Sequence, residues 1–432
     1  MHAKSDRSKP CGAKEDSGRE TRKASSSTAI LVLLTAVYSF SYLDRNLFSL
    51  MMPQMSREFR LTDTEIGQLS GIAFPVVFGL VSFVAALAAD RLNRVKLIAG
   101  SVLLFSAMTT ACGMAQGYWS LFVARIGVGV GEGATNPPSV SLVADHFSGP
   151  ARQFANSLFA MASTFGILCA FVIFGNVSAS FGWRVSFISA GIFGALVSLM
   201  LILFLRDRAR AAPQPFAWRD LKGFPALFRI PSFRWAVAAA VLHSACTQSS
   251  WQWLPLFLTR SLHMSQSEIS WFLGLNYSLL HVAGIIGGAF IGARLRKRSV
   301  GSTQLFGCVV ILLVTLAYMT ACLSPVHGVA LVAIAIIILL TASNYASLLS
   351  FIQDVTPSDS QAKASAIVFC LMQVGTGGGS LLIGVISDSL VPYAGAESLR
   401  YALLPTVGIS GVLAAISYYC ASRHGSRDAL QS

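Results

Sequence analysis

Arg125-Ile126-Gly127-Val128-Gly129-Val130-Gly131-Glu132-Gly133 sets two full charges inside an apolar run that extends from Tyr118 to Val143. Seven residues of helix bring Arg125 and Glu132 back to nearly one face, roughly 10 Å apart along the axis. A charge at the centre of a bilayer costs at least about 2.5 kcal/mol, so such residues face a polar cavity or an opposite charge. Two readings follow: a buried ion pair that only supports the fold, or the working centre of a pathway. The alternating glycines lower the helix profile on two sides and let neighbouring backbones approach closely.

The whole chain has the same character. Its 432 residues are 54% hydrophobic and 12% charged, with a mean hydropathy of +0.63. Apolar stretches near the length needed to cross about 30 Å of hydrocarbon predict an all-α membrane protein with twelve spans. The predicted spans are 28–52, 65–89, 97–116, 118–143, 153–178, 183–205, 233–258, 268–292, 302–323, 326–349, 362–387 and 398–421. A net charge of +13 invites a nucleic-acid partner, but the placement of the charge excludes one. With the amino terminus in the cytosol, 25 of the 32 Lys and Arg fall on the cytosolic side, as the positive-inside rule requires. Both termini are then expected to be cytosolic. Seven of the eight cysteines lie within spans and show no metal-ligand spacing, so they read as small buried hydrophobes.

A shift of 203 residues superposes the second half of the sequence on the first without gaps. Glu65-Ile66 falls on Glu268-Ile269, Gly71 on Gly274 and Arg91-Leu92 on Arg294-Leu295. The helix-starting box Thr62-Asp63-Thr64-Glu65 returns as Ser265-Gln266-Ser267-Glu268. The expected organisation is a disordered tail (1–27), a six-helix half (28–205), a cytosolic linker (206–232), a second six-helix half (233–421) and a short tail (422–432).

The repeat is chemically lopsided. Span 1 carries Tyr42-Leu43-Asp44-Arg45-Asn46, and Asp44 and Arg45 map onto the neutral Thr247 and Gln248 of span 7. Asp44 lies about 24 Å from the inner end of its span and Arg125 about 10 Å from the outer end of span 4. Those depths nearly coincide, which suggests Arg125 bridging Asp44 and Glu132 if spans 1 and 4 are neighbours. Asn136-Pro137-Pro138 is expected to kink span 4. Polar candidates in the second half are Thr247, Gln248 and Trp251 in span 7, Asn276 in span 8, Asn344 in span 10 and Gln373 in span 11. His243 and His281 are equally explained by a hydrogen bond to a neighbour. After span 2 comes the charged loop Asp90-Arg91-Leu92-Asn93-Arg94, whose aspartate has no counterpart in the second half, where Ala293 takes its place.

Twelve spans in two halves, the Asp90–Arg94 loop, and Arg125 with its glycines resemble the major facilitator superfamily over residues 28–421. Tyr42-Leu43-Asp44-Arg45 together with Gly129-Val130-Gly131-Glu132 is similar to the spinster family, although Gly133 stands where that family usually has alanine. The resemblance implies the superfamily's fold, alternating access, and a bacterial homologue in the inner membrane. It implies proton-coupled movement of an amphipathic anionic lipid such as a lysophospholipid or a sphingosine 1-phosphate-like molecule. By position, Asp44, Glu132 and Arg125 would couple protons, and Asp90, Arg91 and Arg94 would gate the conformational change. Substrate contacts are expected from Arg45, Tyr42, Asn136, Thr247, Gln248, Trp251, Asn276, Asn344 and Gln373.

Other functional classes fit less well. No G-x-S-x-G, H-E-x-x-H or Walker motif supports an enzyme. A channel calls for a ring of filter groups, whereas two unlike six-span halves suit a carrier. Among carriers, a proton-coupled organic-anion symporter and a multidrug exporter remain the alternatives. The expected partners are a small amphipathic or anionic substrate and membrane lipid, with protons the only coupling ion, no cofactor, and a monomer as the working unit.

Overall fold

The computed structural model describes residues 13–88, 93–147, 149–205, 224–357 and 360–428. Twelve helical stretches traverse the bundle among these residues. The first half comprises α1 (Ala13–Phe59), α2 (Asp63–Gly67, Gln68–Val76 and Val77–Ala88), α3 (Arg94–Gly113), α4 (Tyr118–Gly133, then Asn136–His146), α5 (Gly149–Leu168, Cys169–Phe174 and Gly175–Phe181) and α6 (Trp183–Phe204). The second half comprises α7 (Pro231–Ser261), α8 (Gln266–Asn276, Tyr277–His281 and Val282–Arg296), α9 (Val300–Leu323), α10 (His327–Thr341, then Tyr345–Asp354), α11 (Gln361–Ala394) and α12 (Ser398–Asp428).

Eight runs of described residues are long and apolar enough to cross a membrane, and one of them, Gln361–Gly425, comprises α11 and α12. The other three stretches, α1, α4 and α7, are those diluted by the charges and polar groups of the candidate site. Helix α1 begins at Ala13, within the stretch expected as a tail, and most of the 206–232 linker lies outside the described residues.

Local chemistry sets the helix boundaries. The Thr62 side chain accepts the Glu65 amide while Glu65 accepts the Thr62 amide at 2.9 Å, and Ser265 and Glu268 repeat this arrangement at α8. Pro137 and Pro138 sit in the first turn after the break in α4, where missing amide donors leave no ladder bond unmade. The middle segments of α2, α5 and α8 are π-helical.

The glycines of α4 alternate between two neighbours. Added Cβ atoms at Gly129 and Gly133 would meet the Phe74 and Phe78 carbonyls of α2 at 3.1 and 2.8 Å. One at Gly131 would meet the Ser101 carbonyl of α3 at 2.8 Å, and one at Gly127 would run into Met108. Period-four spacing puts each glycine pair on its own face.

The two halves meet at the end of the bundle carrying the α1–α2, α7–α8 and α11–α12 turns, which is called the outer end after the orientation expected from the charge bias. One apolar core runs from Phe40, Phe74 and Phe171 of the first half into Trp253, Phe257, Ile269 and Leu399 of the second. A separate core, built around Phe233, Val310, Phe351 and Tyr418, holds the inner part of the second half. Polar contacts reinforce the outer closure. Asp388 of α11 accepts the Asp63 and Thr64 amides at 2.9 and 2.7 Å, capping α2 from across the seam. Arg260 and Ser387 both donate to Asp63, at 2.8 and 2.6 Å.

At the inner end the described ion pairs stay within one half: Arg94 with Asp145 at 2.7 Å, and Arg296 with Asp354. Asp90 and Arg91 lie outside the described residues.

Two outcomes follow from this packing. A Cβ at Gly377 of α11 would stand 2.8 Å from the Gly71 carbonyl of α2, so Gly377→Val should destabilise the protein by about 1–3 kcal/mol. A lowered thermal midpoint in detergent is the readout. At the outer surface, Glu58 accepts from the Trp183 indole at 2.7 Å and from Arg184, and these contacts hold its carboxyl below the ordinary 4.5. A depressed folded pKa stabilises above the unfolded value and is lost as pH falls through the folded one. Unfolding midpoints of Glu58→Gln should therefore fall less steeply than the parent's on acidification below pH 4.5.

Candidate functional site

Side chains on a helix lean toward its amino terminus. Helix α1 runs outward, so Arg45 leans inward; α4 runs inward, so Arg125 leans outward. The four charges of these helices consequently pair crosswise. Arg45 Nε donates to Glu132 at 2.7 Å, and Arg125 Nη1 donates to Asp44 at 3.2 Å. This corrects the bridging role expected for Arg125: each carboxylate has its own arginine. Ser41, one turn inward of Arg45, accepts from Arg45 Nη2 at 3.0 Å and donates to Glu132. Thr109 of α3 donates to Asp44 at 2.6 Å.

Helix α2 supplies aromatic faces to both cations. The Arg45 guanidinium lies 4.1 Å from the Phe78 ring centre and 5.0 Å from that of Tyr42. Arg125 lies 4.2 Å from Phe48 and 4.4 Å from Phe74. Such contacts stabilise a desolvated cation without neutralising it. The two pairs differ in access. The side chains of Asp44 and Glu132 are fully buried and Arg125 is 2% exposed, whereas Arg45 retains 21%. Glu132 Oε1 and Arg125 Nε have no hydrogen-bond partner. Arg45 is thus the one charge of the four that an entering molecule can touch.

The other candidates divide. Trp251 Nε1 donates to Asn46 Oδ1 at 3.0 Å, linking α7 to α1, and its ring lies 5.0 Å from Tyr277, which stacks on His281. Tyr345 is 51% exposed. Gln373 is half-buried against Gly79 at the α2–α11 contact, and Gln248 is exposed. Thr247 and Asn276 bond to carbonyls of their own helices, at His243 and Phe272. Asn344 is buried against Tyr418 of α12, and Asn136 presents a buried oxygen with no partner.

Several residues here escaped the sequence reading. Ser41 had a signal, because a hydroxyl four residues before a membrane arginine shares its face. Thr109 had none, because span 3 carries four hydroxyls, Ser101, Ser106, Thr109 and Thr110, and nothing local singles it out. Asp388 and Arg260 lie in the outer turns of α11 and α7, and each reaches Asp63 of α2 only once the halves pack.

Residues 34–380 match the family model described as the Major Facilitator Superfamily. The chain belongs to that superfamily. It is accordingly a multi-pass membrane transporter and not an enzyme. Within the superfamily it is similar to an MFS-type efflux pump of Mycolicibacterium smegmatis, 28% identical over 407 residues, covering 93% of this chain and 94% of the pump. It is also similar to human protein spinster homolog 1, 26% identical over 394 residues, covering 84% and 74%. Among solved structures it shares its fold with a bacterial homologue of the human lysosomal transporter spinster, captured inward-facing and unoccupied. That likeness has a TM-score of 0.81 at 23% identity and covers 93% of this chain and 98% of the other.

The crosswise pairing predicts how the centre fails. Arg125→Ala leaves Asp44 buried with only Thr109 and should destabilise the protein by about 3–5 kcal/mol. Adding Asp44→Asn removes the stranded charge, so the double variant should unfold at a higher temperature than Arg125→Ala alone. Thermal unfolding of the purified variants checks the order.

Proposed function

We propose that this transporter works by proton-coupled alternating access and carries an amphipathic anion, a lysophospholipid or a sphingosine 1-phosphate-like molecule. The observation that carries this reading is the accessibility of Arg45 while it holds the buried Glu132. An anionic head reaching Arg45 competes with Glu132 for the same guanidinium. If the anion wins, Glu132 is left as a lone charge in a dry site, a state costing several kcal/mol unless the carboxyl is neutralised. The unpartnered Oε1 is where a proton attaches while Oε2 keeps its bond from Ser41. Anion binding and proton binding therefore assist each other, and by linkage the assistance is reciprocal.

Guanidinium suits a phosphate head because its planar fork matches two oxygens at once. Tyr42, Trp251, Tyr277 and Tyr345 offer ring surface to an apolar tail, together with polar tips for the region near the head.

Binding of a long-chain lysophosphatidate to the purified protein should tighten as pH falls, with net proton uptake measurable in weakly buffered solution. In Glu132→Gln the affinity should become independent of pH and proton uptake should vanish. Unchanged pH dependence in that variant would remove Glu132 from the coupling. Glycerol 3-phosphate, which has the head without the tail, should bind at least tenfold more weakly, since burying each methylene contributes about 0.8 kcal/mol. Equal binding of the two would replace the lipid by a small organic anion.

A further inference from the structure

The geometry points to the Asn46–Trp251 hydrogen bond as the positioning link through which the charge state of α1 governs closure of the outer end. It rests on the proton-coupled reading above and adds the element that carries the signal to the other half.

Asn46 directly follows Asp44 and Arg45, so any shift of α1 that accompanies exchange at those pairs moves it too. Its amide has a single orientation: Nδ2 donates to the Tyr42 carbonyl at 2.8 Å, which leaves Oδ1 aimed at the Trp251 indole 3.0 Å away. Trp251 is in turn wedged between Phe171 and Tyr277, at 6.1 and 5.0 Å between ring centres. A displacement of Asn46 must therefore either drag the indole against Tyr277 or break the bond.

The place of this bond is equally specific. Ser49 Oγ donates to the Gln252 carbonyl at 2.5 Å, and these two residues are 203 apart, the repeat shift itself. Equivalent residues touch only near a pseudo-twofold axis, so α1 and α7 cross on the axis relating the halves. The residues that the twofold rotation makes equivalent to Asn46 and Trp251 are Ser249 and Phe48. Ser249 bonds within its own helix, and Phe48 packs on Arg125. The polar link thus exists on one side of the axis only, on the side of the accessible Arg45. Of the hydrogen bonds described between α1 and α7 it lies furthest inward.

Separation of the outer ends breaks this bond and strands the indole N–H and the amide oxygen unless water reaches them, which favours the closed state. Exchange at Arg45 displaces Asn46 and removes that preference. Packed interfaces are bistable, so a small displacement is enough to shift the population.

The test uses Ser270→Cys as a reporter, with the native cysteines replaced by alanine. Ser270 is fully buried against Gly175 across the α5–α8 seam, so a thiol there is modified only when the outer ends part. Trp251→Phe removes the indole N–H and keeps an aromatic ring; Asn46→Ala removes the acceptor. Each should raise the labelling rate at fixed pH by about tenfold, within the range of measured coupling between sites. The double variant should be no faster than either single one. Labelling unchanged by Trp251→Phe, or effects that multiply in the double variant, would overturn the link; should Asn46→Ala fail to fold, Trp251→Phe alone decides.

The pH dependence of labelling separates this inference from the one beneath it. Because the thiolate is the reactive form, each rate is divided by that of a permanently exposed cysteine at the same pH; the rate of the reporter parent so normalised should change with pH and flatten in both single variants. A parent rate that does not respond to pH would count against proton coupling, while the fixed-pH comparison still decides the link. A pH response that persists in Trp251→Phe would show the signal travelling elsewhere and sink the link.

Discussion

Two carboxylates and two arginines cannot stand unpaired in a medium that solvates neither, and most of the first half follows from that constraint. Each pair must close at hydrogen-bond distance, which requires α1 and α4 to approach and α2 to cover them. The glycines of α4 permit this: Gly129 and Gly133 admit α2, whose Phe74 and Phe78 then lie over the guanidinium groups. Larger residues at those positions would hold α2 away, and the cations would lose their aromatic cover. The glycine pattern and the charge pattern of one short stretch are thus a single requirement, close packing around desolvated charge.

Much of this could be read in the sequence because membrane physics leaves few options. Apolar length marks nine of the twelve helical stretches, the 203-residue shift reappears as the Ser49–Gln252 contact, and the helix-starting boxes stand at Thr62 and Ser265. Placing Asp44 and Arg125 at one depth anticipated that they could meet. The pairing of Glu132 does not follow from backbone depth alone, because side-chain lean brings Arg45 a turn inward to Ser41 and Glu132. The outer cluster of Asp63, Asp388 and Arg260 was illegible for another reason: its members flank three different helices, and no local pattern says which helix ends converge.

The second half answers the first with neutral groups. Its buried polar chain runs from His243 through Tyr418 to Asn344 and joins α7, α10 and α12 of that half alone. Such a chain stiffens one body without tying it to the other. Contacts between the bodies concentrate at the outer end, in helix caps, hydroxyl pairs and glycine contacts. In the proposed cycle water can take over the polar contacts when this surface parts, whereas the apolar core shared by the two halves favours closure.

Access then orders the two ion pairs. Arg125 and Asp44 are closed off by Phe48, Phe74 and Thr109, and an anion cannot reach that guanidinium without displacing an aromatic ring. Arg45 can be reached along its exposed edge while Glu132 remains behind it. In the proposed cycle the outer-leaning pair is therefore the anchor and the inner-leaning pair the exchanger. The exchanger's arginine precedes the one residue of α1 whose side chain bonds an indole of α7. In that cycle a proton at Glu132 and a ligand at Arg45 act at the same point of α1, so one movement of that helix answers both and releases the outer end.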